Sequence, residues 1–253
     1  MQAHDDPWQR PQAELWDEQA AATYDTPGSG AFAPEILEPM VATLADLAEG
    51  GRALEMAVGT GRVAIPLREA GVDVVGIELS PAMVARLRTK VGEDELPVTI
   101  GSMVDTRVEG EFSLVYLVFN TIGNLYTQDE QVRCFQNAAA HLRPGGRFVL
   151  ELWVPRPQPA GASHAQVFTA GQGYLGVDVL DVSTQRGVSH HVRFGTDGSA
   201  HVGFSPFRYV WPGEMDLMAR LAGLELEHRW ADFTRAPFTS ASTSHVSVYR
   251  LPG

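Results

Sequence analysis

The chain has 253 residues, of which 44% are apolar and 20% charged, and its formal net charge is −12. That length and apolar content suffice for one large core, while the acid excess argues against phosphate-backbone binding as a main task. A single cysteine, Cys134, excludes an intramolecular disulfide and a cysteine-rich metal site.

The N-terminal stretch MQAHDDPWQRPQAELWDEQ has neither the basic start nor the apolar run of a signal peptide. The longest apolar stretch, Leu114 to Phe119, is far too short to cross a bilayer. The expectation is a soluble, cytoplasmic protein with no membrane and no nucleic-acid partner. Pro34 to Glu49 carries Ile36, Leu37, Met40, Val41, Leu44 and Leu47 at helical spacing and stops at Gly50-Gly51. Arg52 to Val58 reads as a buried strand, Gly59 and Gly61 as a turn, and Arg62 to Glu69 as a helix.

Val72 to Leu79 is a second strand, followed by an N-cap serine and a helix-starting proline, Ser80-Pro81. The helix that follows keeps Arg86, Arg88 and Lys90 in its last turn, where cations suit the dipole. Pro97 to Gly101 and the wholly apolar Phe112 to Phe119 are strands three and four. The capping box TQDE, Thr127 to Glu130, opens a helix that places Cys134 among buried positions and ends at Pro144-Gly145-Gly146. Arg147 to Val154 is strand five. Such alternation predicts a mostly parallel, doubly wound α/β sheet.

After Pro155 the pattern changes. Gln166 to Val210 holds short alternating segments such as HHVRF and FRYVW, which predict antiparallel strands. Pro212 to Ala222 is helical, and Leu224 to Phe233 with Ser244 to Arg250 read as two closing strands.

The segment GTGRVA with Glu78 downstream fits a dinucleotide fingerprint, so a nicotinamide-dependent oxidoreductase is a genuine alternative. Glu55 weighs against it. A carboxylate four residues before Gly59 repels a pyrophosphate and attracts an ammonium, whereas the following helix start favours an anion. A zwitterionic amino acid moiety satisfies both.

In order, EMAVGTG, GIELS, IGSMVD, LVFNTIGNL and LRPGGRFVLELW resemble the class I S-adenosylmethionine-dependent methyltransferases, especially those acting on amino sugars and other natural products. The resemblance implies a Rossmann-like, seven-stranded, mostly parallel sheet with an antiparallel last strand and a late antiparallel β insertion. It divides the chain into a lid over residues 1–33, a cofactor-binding domain over 34–155 and 212–253, and an insertion over 156–211 that covers the acceptor site. S-adenosylmethionine is the implied cofactor and S-adenosylhomocysteine the product. The partner is a small-molecule acceptor, and the state a monomer or homodimer.

Carried over position by position, the resemblance assigns Glu55, Ala57, Gly59 and Gly61 to the methionine part, Ala57 standing where relatives have glycine. Glu78 is assigned to the ribose hydroxyls, with Leu79, Met83 and Met103 beside the adenine. Ser102 replaces the usual adenine-binding aspartate. Phe119, Asn120 and Thr121 pass the sulfonium, and Trp16 and Tyr24, with Asp25, fold over the cofactor on the hinge TPGSG. Asn124 replaces a histidine found in amino-sugar relatives, and an amide cannot act as a base. The two departures also motivate a cofactor-binding protein that does not methylate.

Candidate bases are then Tyr24 and the insertion's histidines, His164, His190, His191 and His201, which stand there with Asp178 and Asp181. Neighbours on a strand point to opposite faces, so at most one of His190 and His191 reaches the cleft. Trp153 is a candidate lining of the acceptor pocket. Arg208 is a candidate for a substrate acid or phosphate, with solvent as its ordinary setting. No three ligands occur at metal-binding spacing, so no metal is expected.

Overall fold

The computed structural model describes residues 8, 11–28, 30–156, 165–171 and 173–253. Five parallel strands supply most of the main sheet: β1 (Ala53–Met56), β2 (Val74–Glu78), β3 (Val98–Ile100), β4 (Phe112–Leu117) and β5 (Leu142–Trp153). The strands β6 (Ala165–Gly171), β7 (Tyr174–Asp181), β8 (Arg186–Phe194) and β9 (Ala200–Arg208) follow. The chain closes with β10 (Glu225–Trp230) and β11 (Ser244–Arg250). The seven-stranded sheet has the order β10-β11-β5-β4-β1-β2-β3, with β11 antiparallel to both neighbours. The reversed last strand expected from the family resemblance is therefore present.

Helix α3 (Pro34–Ala48) follows two short N-terminal helices, α1 (Gln12–Leu15) and α2 (Glu18–Tyr24). Helices α4 (Ala64–Glu69) and α5 (Pro81–Arg88) pack with α3 on one sheet face, and α6 (Gln128–Ala139) and α7 (Pro212–Leu221) on the other. β1, β2 and β4 are buried at every position because helices cover both faces. The capping box forms as read, with Thr127 and Glu130 satisfying each other's backbone N–H. Cys134 is fully buried on α6, and burial pushes its thiol up to about 12.

Several boundaries differ from the sequence reading, two of them for a visible reason. α4 begins at Ala64 because Gly61 still holds a left-handed φ of 83°. β5 begins at Leu142: Leu142 pairs with Phe112, the Pro-Gly-Gly step bulges, and Arg147 resumes pairing at Leu114.

The insertion is one antiparallel sheet in the order β6-β7-β8-β9. It is fastened to the main domain by a polar network around Arg208. The guanidinium donates to Glu214 Oε1 at 2.7 Å and to Gln131 Oε1, while Gln185 and Gln128 donate to the Glu214 carboxylate. The network joins the end of β9 to α6, α7 and the β7–β8 turn. No described helix is long and apolar enough to cross a membrane.

Candidate active site

The carboxyl ends of β1, β2, β4 and β5 open into a cleft of about 740 Å³, closed on one side by α2 and on another by the insertion sheet. A smaller cleft of about 50 Å³ lies beside it, between α1, the end of β2 and the segment after β3. Both are lined by Trp16, Ala57, Glu78, Thr121 and Asn124, so they are two ends of one elongated site.

Glu78 stands at the junction. Its Oε2 accepts the Gly59 N–H and its Oε1 the Ser80 N–H, each at 2.8 Å. Burial raises its pKa against these backbone donors. Each carboxylate oxygen keeps a lone pair for a ligand hydroxyl. Leu79, Ser102 and Met103 line the smaller end, and Met83 the larger. The Ser102 hydroxyl already accepts the Val104 N–H at 3.2 Å.

The turn after β1 holds three consecutive odd positions in the left-handed region: Ala57 at φ 60°, Gly59 at 58° and Gly61 at 83°. A Cβ on Gly61 would press on the Ile65 side chain at 2.9 Å, and the φ of 83° itself favours glycine there. A Cβ on Gly59 would meet nothing within 4 Å, because that position faces the cleft. The backbone there can approach a ligand closely, which fits the methionine end of the cofactor. Ala57 takes the glycine conformation with a side chain in place.

Glu55 sits differently from its sequence assignment. Its carboxylate lines neither cleft and is 4% exposed. Strand alternation turns it with Ala53 toward the α3–α4 layer, where the Tyr116 hydroxyl donates to it at 2.9 Å. Burial lifts its pKa to about 8, against the hydrogen bond from Tyr116 and the charge of Arg62. The carboxyl is therefore largely protonated at neutral pH.

The end of β4 is strained. Phe119 and Asn120 both have φ of 59°. Hydrogen bonds enforce the turn: the Phe119 N–H donates to Glu151 Oε2 at 2.9 Å, and Asn120 Oδ1 accepts the Trp153 N–H at 2.7 Å. Phe119, Asn120, Thr121 and Trp153 thereby all face the large cleft. Trp153 packs at about 6 Å on Phe207 and Tyr209 of the insertion side.

Trp16 and Tyr24 line the cleft from α1–α2 and meet edge to face at 5.9 Å. Asp25 pins this segment down. It accepts from Thr60 Oγ1 at 2.6 Å in the glycine turn, and from Arg86 of α5 and Lys90 just beyond that helix, each at 3.0 Å. Burial works to raise the Asp25 pKa, but these three donors prevail and hold it low. Arg86 and Lys90 are thus partners of Asp25 more than of the helix dipole, while Arg88 donates to the Leu96 carbonyl at 3.0 Å.

Of the two adjacent histidines, His191 lines the cleft, and His190 lies on the opposite face of the insertion sheet against Phe204. Burial, with the charge of Arg193, lowers the His191 pKa, and its Nδ1 is engaged by the Tyr174 hydroxyl. His201 is not among the lining residues, and His164 lies outside the described residues. Arg208 lines the cleft but does not face bulk solvent. Its side chain is only 7% exposed and is held by Glu214 and Gln131, so its guanidinium serves the network described above.

Sequence reasoning missed Arg62 and, apart from Asp178, the polar inner face of the insertion. Arg62 is buried, donates to the Ala31 carbonyl at 3.0 Å and stacks over Phe119 at 4.8 Å. An arginine inside an apolar run just after two glycines was the available signal. Gln166, Asp178, Ser189 and Ser205 also face the cleft, a fact set by strand register. Among the described residues no group of three or more His, Cys, Asp or Glu is placed to hold a metal.

A Rossmann-like sheet with an elongated ligand cleft, a carboxylate at the end of β2 and an open glycine turn defines a nucleoside-cofactor enzyme of methyltransferase architecture. Residues 53–146 match the family described as "Methyltransferase domain". The chain is similar to the solved CcbJ methyltransferase of Streptomyces caelestis, at 33% identity over 96% of this chain and 100% of that one, with a TM-score of 0.83. It is also similar to the cypemycin N-terminal methyltransferase of a Streptomyces species, at 26% identity over 92% of this chain and 96% of the relative. A third relative is the dTDP-3-amino-3,4,6-trideoxy-alpha-D-glucopyranose N,N-dimethyltransferase of Streptomyces venezuelae, 31% identical over 62% of each chain. The protein belongs to the S-adenosylmethionine-dependent methyltransferases. The nicotinamide alternative falls with this assignment.

Proposed function

We propose that this enzyme methylates an amine nitrogen of a small natural-product acceptor, and that the elongated cleft holds cofactor and acceptor end to end. The continuity of the two clefts at Glu78 carries the reading. The names of the relatives, N-methyltransferases for a peptide N-terminus and for an amino sugar, favour nitrogen over oxygen.

In this reading Glu78 binds the ribose hydroxyls, and Leu79, Met83, Ser102 and Met103 enclose the adenine. Ala57, Gly59 and Gly61 give the methionine moiety its backbone approach, with Glu55 and Arg62 supporting the turn from beneath. Phe119, Asn120 and Thr121 border the reacting centre. Residues 1–33 act as a lid through Trp16 and Tyr24, and residues 156–211 cover the acceptor, which meets Asn124 and Trp153. Bound S-adenosylmethionine supplies an electrophilic methyl group. The protein aligns the acceptor and excludes water, and the neutral His191 imidazole takes the proton that an ammonium must lose. The charge of −12 supports a small-molecule over a nucleic-acid partner. A cytoplasmic location and a monomer or homodimer complete the reading.

Calorimetric titration with S-adenosylhomocysteine tests the cofactor half. Glu78→Ala weakens binding by about 2–4 kcal/mol, the value of hydrogen bonds to a charged group; unchanged affinity removes Glu78 from the ribose. Mass spectrometry of reactions with amines, phenols and alcohols tests the acceptor half. Gains of a methyl group confined to oxygen compounds refute the nitrogen assignment.

A further inference from the structure

The insertion sheet presents one row of polar side chains to the cleft. Gln166 of β6 lies opposite Asp178 of β7, Asp178 opposite Ser189 of β8, and Ser189 opposite Ser205 of β9. All four line the large cleft. The rows on either side are different in kind. One holds Leu180, Gly187 and Phe207, the other Gly176, His191 and Gly203. The glycines leave the row open, and Phe168 packs over Gly176 as a wall, close enough that a Cβ there would strike its ring.

Within the row, hydrogen-bonding capacity is unspent. Ser189 Oγ donates to Asp178 Oδ1 at 2.6 Å, which fixes the carboxylate's orientation. Among the described residues no lysine or arginine forms an ion pair with Asp178. The Gln166 amide nitrogen is buried, and among the described residues it has no partner. Two arginines line the cleft: Arg208 is paired with Glu214, and Arg156, at the exposed start of the segment before β6, forms no ion pair with Asp178 among the described residues. A half-buried carboxylate with one hydrogen bond, beside a buried amide donor with none, is an incomplete polar site: its missing partners are a cation and a hydrogen-bond acceptor.

We propose that Asp178, oriented by Ser189, is the specificity residue that binds the acceptor's ammonium group, and that Gln166 donates to an oxygen carried next to it. The inference rests on the reading of this cleft as the acceptor site and adds the chemistry by which the acceptor is chosen. The favoured class is a small polar amine with a neighbouring hydroxyl or carbonyl oxygen. A neutral acceptor of the same shape leaves Asp178 unpaired and binds less well.

The test needs no knowledge of the natural acceptor. The protein is first titrated with S-adenosylhomocysteine, then, saturated with it, titrated by saturation-transfer NMR with D-glucosamine and D-glucose, which differ by one ammonium for one hydroxyl. Wild type is expected to prefer glucosamine at least tenfold. Asp178→Asn, with S-adenosylhomocysteine affinity intact, is expected to abolish the preference, Ser189→Ala to reduce it, and Asp178→Glu to restore part of it. A wild type without preference, or an Asp178→Asn variant that keeps it, overturns the proposal while the methyltransferase assignment stands. Failure of wild type to bind S-adenosylhomocysteine defeats the cofactor reading itself, and the proposal with it.

Discussion

The Tyr116 hydroxyl donates to Glu55 Oε2 at 2.9 Å, across strands β4 and β1, whose backbones are in register at these two residues. The pair is sealed beneath the glycine turn, with Tyr116 fully buried and Glu55 nearly so. The carboxyl in the motif is therefore a buried acid with a raised pKa, not a surface anion.

A pH dependence of stability follows. Glu55 titrates at about 8 in the fold, against about 4.3 in an unfolded chain. The folded state keeps a proton that the unfolded state loses, so this contribution is full below pH 4 and declines as pH rises toward 8. Urea denaturation at pH 5 and pH 8 should show wild type losing up to about 4 kcal/mol relative to Glu55→Gln. Parallel curves would mean that Glu55 is ionised across the range.

Ala57 carries strain that its motif neighbours avoid. A left-handed φ costs an L-residue about 1–2 kcal/mol, while glycine loses about 0.5–1 kcal/mol of chain entropy. Ala57→Gly should stabilise the protein by about 0.5–1 kcal/mol, raising Tm by a few degrees at most. A fall in Tm would show that the methyl group's packing outweighs the strain.

The buried Arg208 and the half-buried Glu214 form an ion pair that joins the insertion to the main domain. Arg208→Ala leaves the acid unpaired, so a loss of about 3–5 kcal/mol is expected in denaturation, with faster hydrogen exchange in β8 and β9. Replacing both, as Arg208→Met with Glu214→Leu, should cost less than the single change. Loss of acceptor binding without loss of stability would instead return Arg208 to the substrate.

The two histidines separate by face. His191→Ala should lower kcat by about 10²-fold, and His190→Ala by no more than a few-fold. Because burial lowers the His191 pKa, the acid limb of the wild-type profile should fall below about pH 6.5, the ordinary imidazole value. A His191 variant that keeps this limb and its rate would exclude the residue as base.

Much of this was readable before any coordinates. Strand, glycine turn, helix and capping signals are local, so the alternating α/β order, the Thr127–Glu130 box and the glycine at position 61 follow from neighbouring residues. Strand parity foretold that only one of His190 and His191 faces the cleft. Side-chain direction within a packed layer is another matter. Glu55 looked like a ligand acid because it precedes the turn, yet its direction on β1 gives it to Tyr116. Arg208 looked exposed on an alternating strand, yet Gln131 and Glu214, distant or on another element, claim it.

The sequence by itself determined the class of fold, the position of the glycine turn and the acid at residue 78, because each depends on backbone conformation over a few residues. Only the tertiary structure decided which polar groups have their hydrogen bonds filled and which remain open to a ligand. Asp178, Gln166, Ser189 and Ser205 are spread over forty positions of sequence, and only the strand register brings them into one row. Whether a buried group is satisfied depends on every element packed around it.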